Sequence, residues 1–190
     1  MKKKTLIIDI DDTIVSSFEL PFLNAFLGTN YTENDFKNYI TEKLTDEAEK
    51  NLFCDYILSK ETYGDDTITI KEGAIEAVKQ LNENFILYLC SDYTCWQKPW
   101  NSNKFFIDKF QMLKKHFNYI SPFQHIFLRD KQILHADIMI DDRIYNFGEH
   151  IDRRILFNAY HNKNISDDDL NVKKITRVNS WSEVELLLLK

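Results

Sequence analysis

The fold is decided by residues 4–13, which read Lys-Thr-Leu-Ile-Ile-Asp-Ile-Asp-Asp-Thr. The apolar run at residues 6–8 predicts a strand that is buried on both faces, as in a parallel sheet. Side chains alternate along a strand, so Asp9 and Asp11 project to the same side if the backbone stays extended that far. Two like charges about 4 Å apart repel by roughly 4 kcal/mol at an effective dielectric near 20. Stability alone explains such a pair poorly, so we expect a hard divalent cation to compensate it.

Further apolar runs alternate with helical patterns along the rest of the chain. The runs that predict strands lie at residues 85–90, 123–128, 136–140, 154–157 and 175–178. This alternation predicts an α/β fold with a doubly wound parallel sheet. We expect the core domain to consist of residues 1–14 and 71–190, with residues 15–70 inserted after the first strand.

The inserted residues 15–70 carry apolar side chains at helical spacing and predict a small helical cap. A first helix is expected to end at Leu27. A second is expected to begin after Thr32 and to bury a face that reaches Leu44, and Thr45 is expected to cap a third. Aromatic residues at this spacing are more often core residues than ligand contacts.

Polar residues stand at or just after the ends of four predicted strands. They are Asp9, Ser91, Lys131 and Asp141. In open α/β sheets, ligands bind beyond the carboxyl ends of the strands, near the switch in strand order. Each residue also has a structural alternative: Ser91 could cap a helix and Lys131 could be surface charge. Asp142 fits a supporting role behind the metal ligands better than a ligand role.

The opening motif resembles the first motif of the haloacid dehalogenase (HAD) superfamily, hhhh-Asp-x-Asp-x-Thr. The resemblance implies that Asp9 is a nucleophile that forms an aspartyl-phosphate and that Asp11 is the general acid and base. It further implies that Asp9, Asp141 and the backbone carbonyl of Asp11 bind Mg²⁺, while Ser91 and Lys131 bind the phosphate. Asp12 departs from the glycine that many of these phosphatases have there.

Five further stretches narrow the resemblance to the 5′(3′)-deoxyribonucleotidase family. They lie at residues 18–23, 127–131, 136–143, 155–162 and 179–181. The resemblance implies a Mg²⁺-dependent nucleotidase acting on deoxyribonucleoside monophosphates, with Phe18 stacking on the base. Trp96 or Trp100 could line the site, and Lys98 or Lys104 could add a phosphate contact.

Composition excludes several classes of partner. The net charge is −6, and the sequence has no basic stripe, so a nucleic-acid or anionic-membrane partner is not expected. The apolar run after the N-terminal lysines is interrupted at Asp9, so it does not read as a signal peptide. Cys54, Cys90 and Cys95 lack CxxC spacing and suggest reduced thiols in a cytoplasmic protein. A homodimer is compatible with the sequence, which does not fix the oligomeric state.

Two alternatives to the nucleotidase stay open at this stage. The first is a HAD phosphatase for another small phosphate ester, because substrate choice depends on the poorly matched cap. The second is a non-catalytic regulatory domain that binds phosphate or metal on the same fold. The intact pair of Asp9 and Asp11 argues against the second, because a binding protein needs no general acid.

Overall fold

The computed structural model describes residues 2–16 and 19–190. Six parallel strands form one sheet in the order β3-β2-β1-β4-β5-β6. The strands are β1 (Thr5–Asp9), β2 (Ile86–Ser91), β3 (His125–Phe127), β4 (Ala136–Asp141), β5 (Ile151–Phe157) and β6 (Ile175–Val178). The predicted parallel α/β sheet is therefore confirmed, and the switch in strand order falls at β1.

The first strand lies in the middle of the sheet and is buried on both faces, as its sequence predicts. Leu6 and Ile8 belong to the largest hydrophobic cluster, whereas Ile7 belongs to a second cluster with Met139. This alternation is the two-residue period of a strand. The motif that follows is thereby anchored at the centre of the molecule, between the ends of β2 and β4.

Helices cover both faces of the sheet. They are α1 (Glu19–Leu27), α2 (Glu47–Leu58), α3 (Ala74–Asn84), α4 (Asn103–His116), α5 (Asp167–Val172) and α6 (Trp181–Leu188). Val78 of α3 and Val184 of α6 share a cluster with Ile155, whereas Leu170 of α5 packs with the next strand residue, Leu156. None of the helices in the described ranges is long and apolar enough to cross a membrane.

Hydrogen bonds from side chains explain the caps of the last two helices. Ser166 accepts a bond from the backbone of Asp169 at the start of α5, and Ser180 accepts one from Glu183 at the start of α6. Serine is among the residues most favoured at this position. The acidic run after Ser166 is accordingly the first turn of a helix.

The second predicted helix of the inserted segment is wrong. Residues 33–35 and 40–43 form two short 3₁₀ turns instead, separated by extended backbone. The carboxylate of Asp35 accepts from the Thr32 backbone, and that of Glu42 accepts from the backbone of residues 37 and 38. These side chains take the place of helical backbone partners, which is how Asp and similar residues compete with helices.

The two connections into the inserted segment run side by side. Val15 pairs with Ile70 in an antiparallel bridge, and the Ser16 backbone donates to the Thr69 carbonyl at 2.8 Å. Between them, α1 and α2 pack through aromatic rings, such as Phe26 against Phe53. The bridge brings the two ends of the inserted segment together, and the division into cap and core remains a prediction.

The expectation of three reduced thiols is corrected by the structure, which joins Cys54 and Cys95 in a disulfide across 41 positions. Cys54 lies on α2 and Cys95 lies in the segment after β2, so the bond connects the inserted segment to the core. Sequence spacing could not reveal this pair because tertiary packing brings the two elements together. Cys90 remains a free, buried thiol, and burial raises its pKa to about 12.

Candidate active site

The predicted site residues converge at the carboxyl ends of the central strands. Asp9, Ser91 and Asp141 are the last residues of β1, β2 and β4, which are neighbours in the sheet. Lys131 begins a 3₁₀ turn after β3 and reaches between two of them. Its Nζ donates to Asp9 and lies 2.9 Å from Asp141 Oδ2.

The cluster of Asp9, Lys131 and Asp141 is almost fully withdrawn from water. Burial raises the pKa of Asp9 well above its ordinary value, in spite of Lys131, and the neighbouring carboxylates act in the same direction. Burial also raises the pKa of Asp141. Burial alone would lower the pKa of Lys131, but the two carboxylates raise it well above normal, so it stays charged. One buried cation thus faces more than one carboxylate.

Asp142 lies beside this cluster and is held by its own set of partners. The ring Nε2 of His161 is 2.6 Å from Asp142 Oδ2, and Asn162 donates to the Asp142 carbonyl at 2.8 Å. Burial by itself would raise the pKa of Asp142, but His161 and Arg143 keep it well below its usual range. His161 therefore orients a site carboxylate and favours its ionised form.

Three carboxylates offer a set of ligands for a metal ion. Oxygens of Asp9, Asp141 and Asp142 all lie within 4.8 Å of one another. A buried set made only of carboxylate oxygens suits a hard cation such as Mg²⁺. Burial and the neighbouring carboxylates raise the pKa of Asp9, and a bound divalent cation would favour its ionised form. The residues present therefore fit the metal, with Asp142 as close as the two predicted ligands.

A second cluster surrounds Asp11. Its Oδ2 accepts from Ser91 Oγ at 2.8 Å and from Lys109 Nζ at 2.6 Å, and its Oδ1 accepts from Tyr63 Oη at 2.6 Å. Burial would raise the pKa of Asp11, but Lys109 and these hydrogen bonds lower it overall. The side chain keeps 33 % of its surface exposed, so Asp11 faces the open part of the site.

Lys109 is a site residue that the sequence analysis missed. It lies on α4 with 2 % of its surface exposed, and its Nζ also donates to Ser91 and to the Asp92 carbonyl. The available signal was its position, four residues after Phe105 and three before Met112, on the apolar face of a helix. The two lysines named instead lie elsewhere: Lys104 pairs with Asp108, and Lys98 pairs with Asp55.

The backbone conformation explains why position 12 is glycine in many related sequences and aspartate here. Asp12 has a φ of 55°, in the left-handed region, which glycine adopts freely and aspartate tolerates better than most residues. The left-handed backbone explains why glycine is common at this position of the first HAD motif. The side chain is buried, and Lys71 donates to the Asp12 carbonyl.

The two clusters open into a cavity of about 720 Å³. Its lining includes Asp9, Asp11, Lys109, Trp96, Arg129 and Tyr145. Trp100 is 97 % exposed and is not among the lining residues. Phe18, the predicted base contact, lies outside the described residues. The volume is within the usual range of small-molecule sites, so a metabolite of nucleotide size fits it.

The loop that carries Lys131 is fixed by a close backbone approach. A Cβ atom at Gly148 would lie 2.0 Å from the carbonyl oxygen of Gln132. Only glycine permits the two loops to approach this closely. The approach helps to hold Lys131 at the ends of β1 and β4.

Comparison with known proteins identifies the family. The model of the family described as 5′ nucleotidase, deoxy (Pyrimidine), cytosolic type C protein matches residues 3–190. The chain belongs to this family. It is similar to the 5′(3′)-deoxyribonucleotidase of Bacillus subtilis (strain 168), with 26 % identity over 98 % of this chain and 99 % of that protein. The protein of the same name from Clostridium acetobutylicum is 27 % identical, over 98 % and 96 % of the two chains.

Solved structures agree with the family at the level of the fold. A haloacid dehalogenase-like hydrolase from Streptococcus pneumoniae superimposes with a TM-score of 0.54 over 99 % of both chains, at 14 % identity. Family membership makes this chain a nucleotidase-family hydrolase, and its fold is that of a haloacid dehalogenase-like hydrolase. The resemblance drawn from the sequence motifs is thereby confirmed.

Proposed function

We propose that this chain removes the phosphate from deoxyribonucleoside monophosphates through an aspartyl-phosphate on Asp9. The observation that supports this most is the separation of two carboxylates at the end of β1. Asp9 is paired with Lys131, whereas Asp11 is paired with Lys109, Ser91 and Tyr63. Two carboxyl groups in different environments can act differently in one reaction, one as a nucleophile and the other as an acid and base.

In the first step, a carboxylate oxygen of Asp9 attacks the phosphorus atom. The bond from phosphorus to the ester oxygen breaks, and its electron pair stays with the leaving oxygen. Asp11 gives that oxygen a proton, so the nucleoside leaves as an alcohol. Lys131 remains charged beside Asp9, which favours the ionised nucleophile over the neutral acid that burial favours.

In the second step, water hydrolyses the aspartyl-phosphate. Asp11, now ionised, accepts a proton from the water molecule that attacks phosphorus. The bond from phosphorus to the Asp9 oxygen breaks, which releases inorganic phosphate and restores the carboxylate. Asp11 faces the cavity, and its partners stabilise the charged form that accepts the proton in this second step.

We assign the binding of the phosphoryl oxygens to two cationic side chains and one hydroxyl. Lys131 lies on the nucleophile side, and Lys109 and Ser91 lie on the side of Asp11. A phosphate dianion between the clusters would compete with Asp11 for Lys109 and Ser91. Loss of these two contacts from Asp11 would favour its protonated form, which the first step requires.

We propose Mg²⁺ as the cofactor. Asp9, Asp141 and the backbone carbonyl of Asp11 would hold it, and the placement of the Asp142 carboxylate makes it a further candidate ligand. When bound, the ion neutralises charge on the phosphate and among the clustered carboxylates. The metal-binding roles, like the catalytic ones, are proposals that rest on this geometry.

A deoxynucleotide is favoured as the substrate by the names of the similar proteins and by the size of the cavity. A stacking role for Phe18 remains part of the proposal. We also propose a cytoplasmic location, where nucleoside monophosphates occur. Because disulfides are uncommon there, the redox state of Cys54 and Cys95 in cells bears directly on this point.

The test is phosphate release, with Mg²⁺, from a panel of deoxynucleotides, ribonucleotides and sugar phosphates, with Asp9→Asn as the blank. Selective release from deoxynucleotides supports the proposal. Release only from other esters would retain the chemistry and reject the substrate class. Absence of release from every ester would favour the regulatory alternative.

A further inference from the structure

Asp11 is held from two sides by groups of different kinds. Its Oδ2 accepts from Ser91 and Lys109, which are the groups placed to bind phosphate. Its Oδ1 accepts from Tyr63 Oη at 2.6 Å. The two oxygens of this carboxylate are therefore not equivalent: Oδ2 is directed toward the phosphate-binding groups and Oδ1 toward Tyr63.

Tyr63 does not come from the sheet that carries the rest of the site. It lies between α2 and α3, in the segment that returns from the inserted residues to the core. The preceding residue, Thr62, is fully buried and donates to Asp108 of α4 through both its backbone and its hydroxyl, at 3.0 and 3.2 Å. The position of Tyr63 is thus fixed by the helix that also carries Lys109.

The environment of Tyr63 keeps its hydroxyl a hydrogen-bond donor. The side chain is 6 % exposed, and its ring lies 5.0 Å from Lys109 Nζ. The Tyr63 hydroxyl donates to Oδ1, because an ionised carboxylate offers only acceptors.

We propose that Tyr63 is a positioning residue that fixes the rotation of the Asp11 carboxyl group and so assigns the proton transfer to Oδ2. This inference rests on the proposed function, because it assumes that Asp11 is the general acid. When the phosphate takes Ser91 and Lys109, the bond from Tyr63 to Oδ1 remains. Oδ2 then carries the proton that moves to the leaving oxygen as the bond from that oxygen to phosphorus breaks.

The test uses leaving groups that differ in their need for a proton. A deoxynucleoside monophosphate releases an alkoxide, which needs one, whereas p-nitrophenyl phosphate releases a stable phenolate, which does not. The ratio kcat/KM covers only the steps up to departure of the leaving group, so the later role of Asp11 as a base does not enter it.

The variant is Tyr63→Phe, which keeps the ring and removes only the hydroxyl. We expect kcat/KM to fall about 10-fold for the deoxynucleotide, as part of the roughly 10²–10⁴-fold that a general acid contributes. For p-nitrophenyl phosphate we expect a change within about 2-fold, since no proton transfer is needed. Tyr119→Phe is the matched control, because that hydroxyl donates to the carbonyl of Ile75 on another part of the core.

A double variant separates positioning from a structural role. If Tyr63 acts through Asp11, adding Tyr63→Phe to Asp11→Asn lowers kcat/KM for the deoxynucleotide by less than 2-fold, an estimate from the coupling expected of groups in direct contact. Equal losses on both substrates, independent losses in the double variant, or no loss at all would overturn the inference. Failure of the unmodified chain on both substrates would instead overturn the proposed function and this inference with it.

Discussion

Lys109 Nζ lies 2.6 Å from Asp11 Oδ2, although the two residues are 98 positions apart in the sequence. Helix α4 delivers the lysine from its apolar face, and β1 delivers the carboxylate from the centre of the sheet. A buried ammonium is costly unless it is paired, and Lys109 is paired with the group proposed to exchange protons. The contact thus connects the groups proposed for phosphate binding and for acid–base catalysis.

Replacement of Lys109 by Gln should lower kcat/KM for phosphate release by about 10²–10³-fold, the usual cost of removing one electrostatic contact to a reacting group. The physical reason is the loss of a cation at the phosphoryl oxygens. The measurement is steady-state release of phosphate, with Tm recorded to show that the variant folds. Lys114→Gln is the control, because Lys114 is exposed in the last turn of the same helix. Equal losses in the two variants would assign the effect to α4 in general.

Mg²⁺ should raise the Tm of the protein. An ion that binds only the folded state stabilises it by about 2.7 kcal/mol at a concentration of 100 times Kd. Asp141→Asn should remove most of this shift, since Asp141 belongs to the carboxylate cluster. Asp168→Asn, in the exposed first turn of α5, should retain it. A full shift in the Asp141 variant would place the ion elsewhere.

Reduction of the Cys54–Cys95 disulfide should destabilise the fold. For a separation of 41 residues, the chain-entropy relation gives about 4 kcal/mol in favour of the cross-linked protein. We expect a reductant to lower Tm in the unmodified chain and in Cys90→Ser, but to leave Cys54→Ser unchanged. Detection of three reactive thiols in the denatured, unreduced protein would contradict the pairing.

His125 should make stability depend on pH. Both of its ring nitrogens are buried and have no hydrogen-bond partner in the described part of the chain, and burial lowers its pKa below 6.5. As the pH falls, the unfolded chain binds a proton at His125 before the folded chain does. The stability that comes from the neutral ring is therefore complete above pH 6.5 and is lost as the pH falls below it. Between pH 8 and pH 5, the Tm of His125→Phe should therefore fall by less than the Tm of the unmodified chain. The same loss in both would exclude His125 as the cause.

The sheet and one half of the site could be predicted because their signals are local. The buried run before Asp9 and the similar run before Asp141 set two strand ends, and parallel strands bring such ends to the same edge. Lys131 follows the short strand β3 closely, so the same rule predicts it at this edge of the sheet. These residues occupy neighbouring positions because of topology alone.

The other half could not be predicted because it depends on packing between distant elements. Lys109 and Tyr63 reach Asp11 only after α4 and the segment following α2 have docked. The disulfide has the same origin, since its two cysteines lie on different elements. The second predicted helix of the inserted segment does not form because side chains bind the local backbone, as Asp35 does at Thr32. Hydrophobic spacing does not reveal such hydrogen bonds.

The central claim is that Asp9 becomes phosphorylated during turnover, and the most direct measurement is to map the phosphoryl group. Asp11→Asn with p-nitrophenyl phosphate is the suitable system, because departure of the phenolate needs no acid while hydrolysis of the intermediate lacks its base. After acid quenching and mass spectrometry of peptides, the account predicts a phosphoryl group on Asp9. A burst of nitrophenol with no phosphoryl group on Asp9, or with one on another residue, would contradict it.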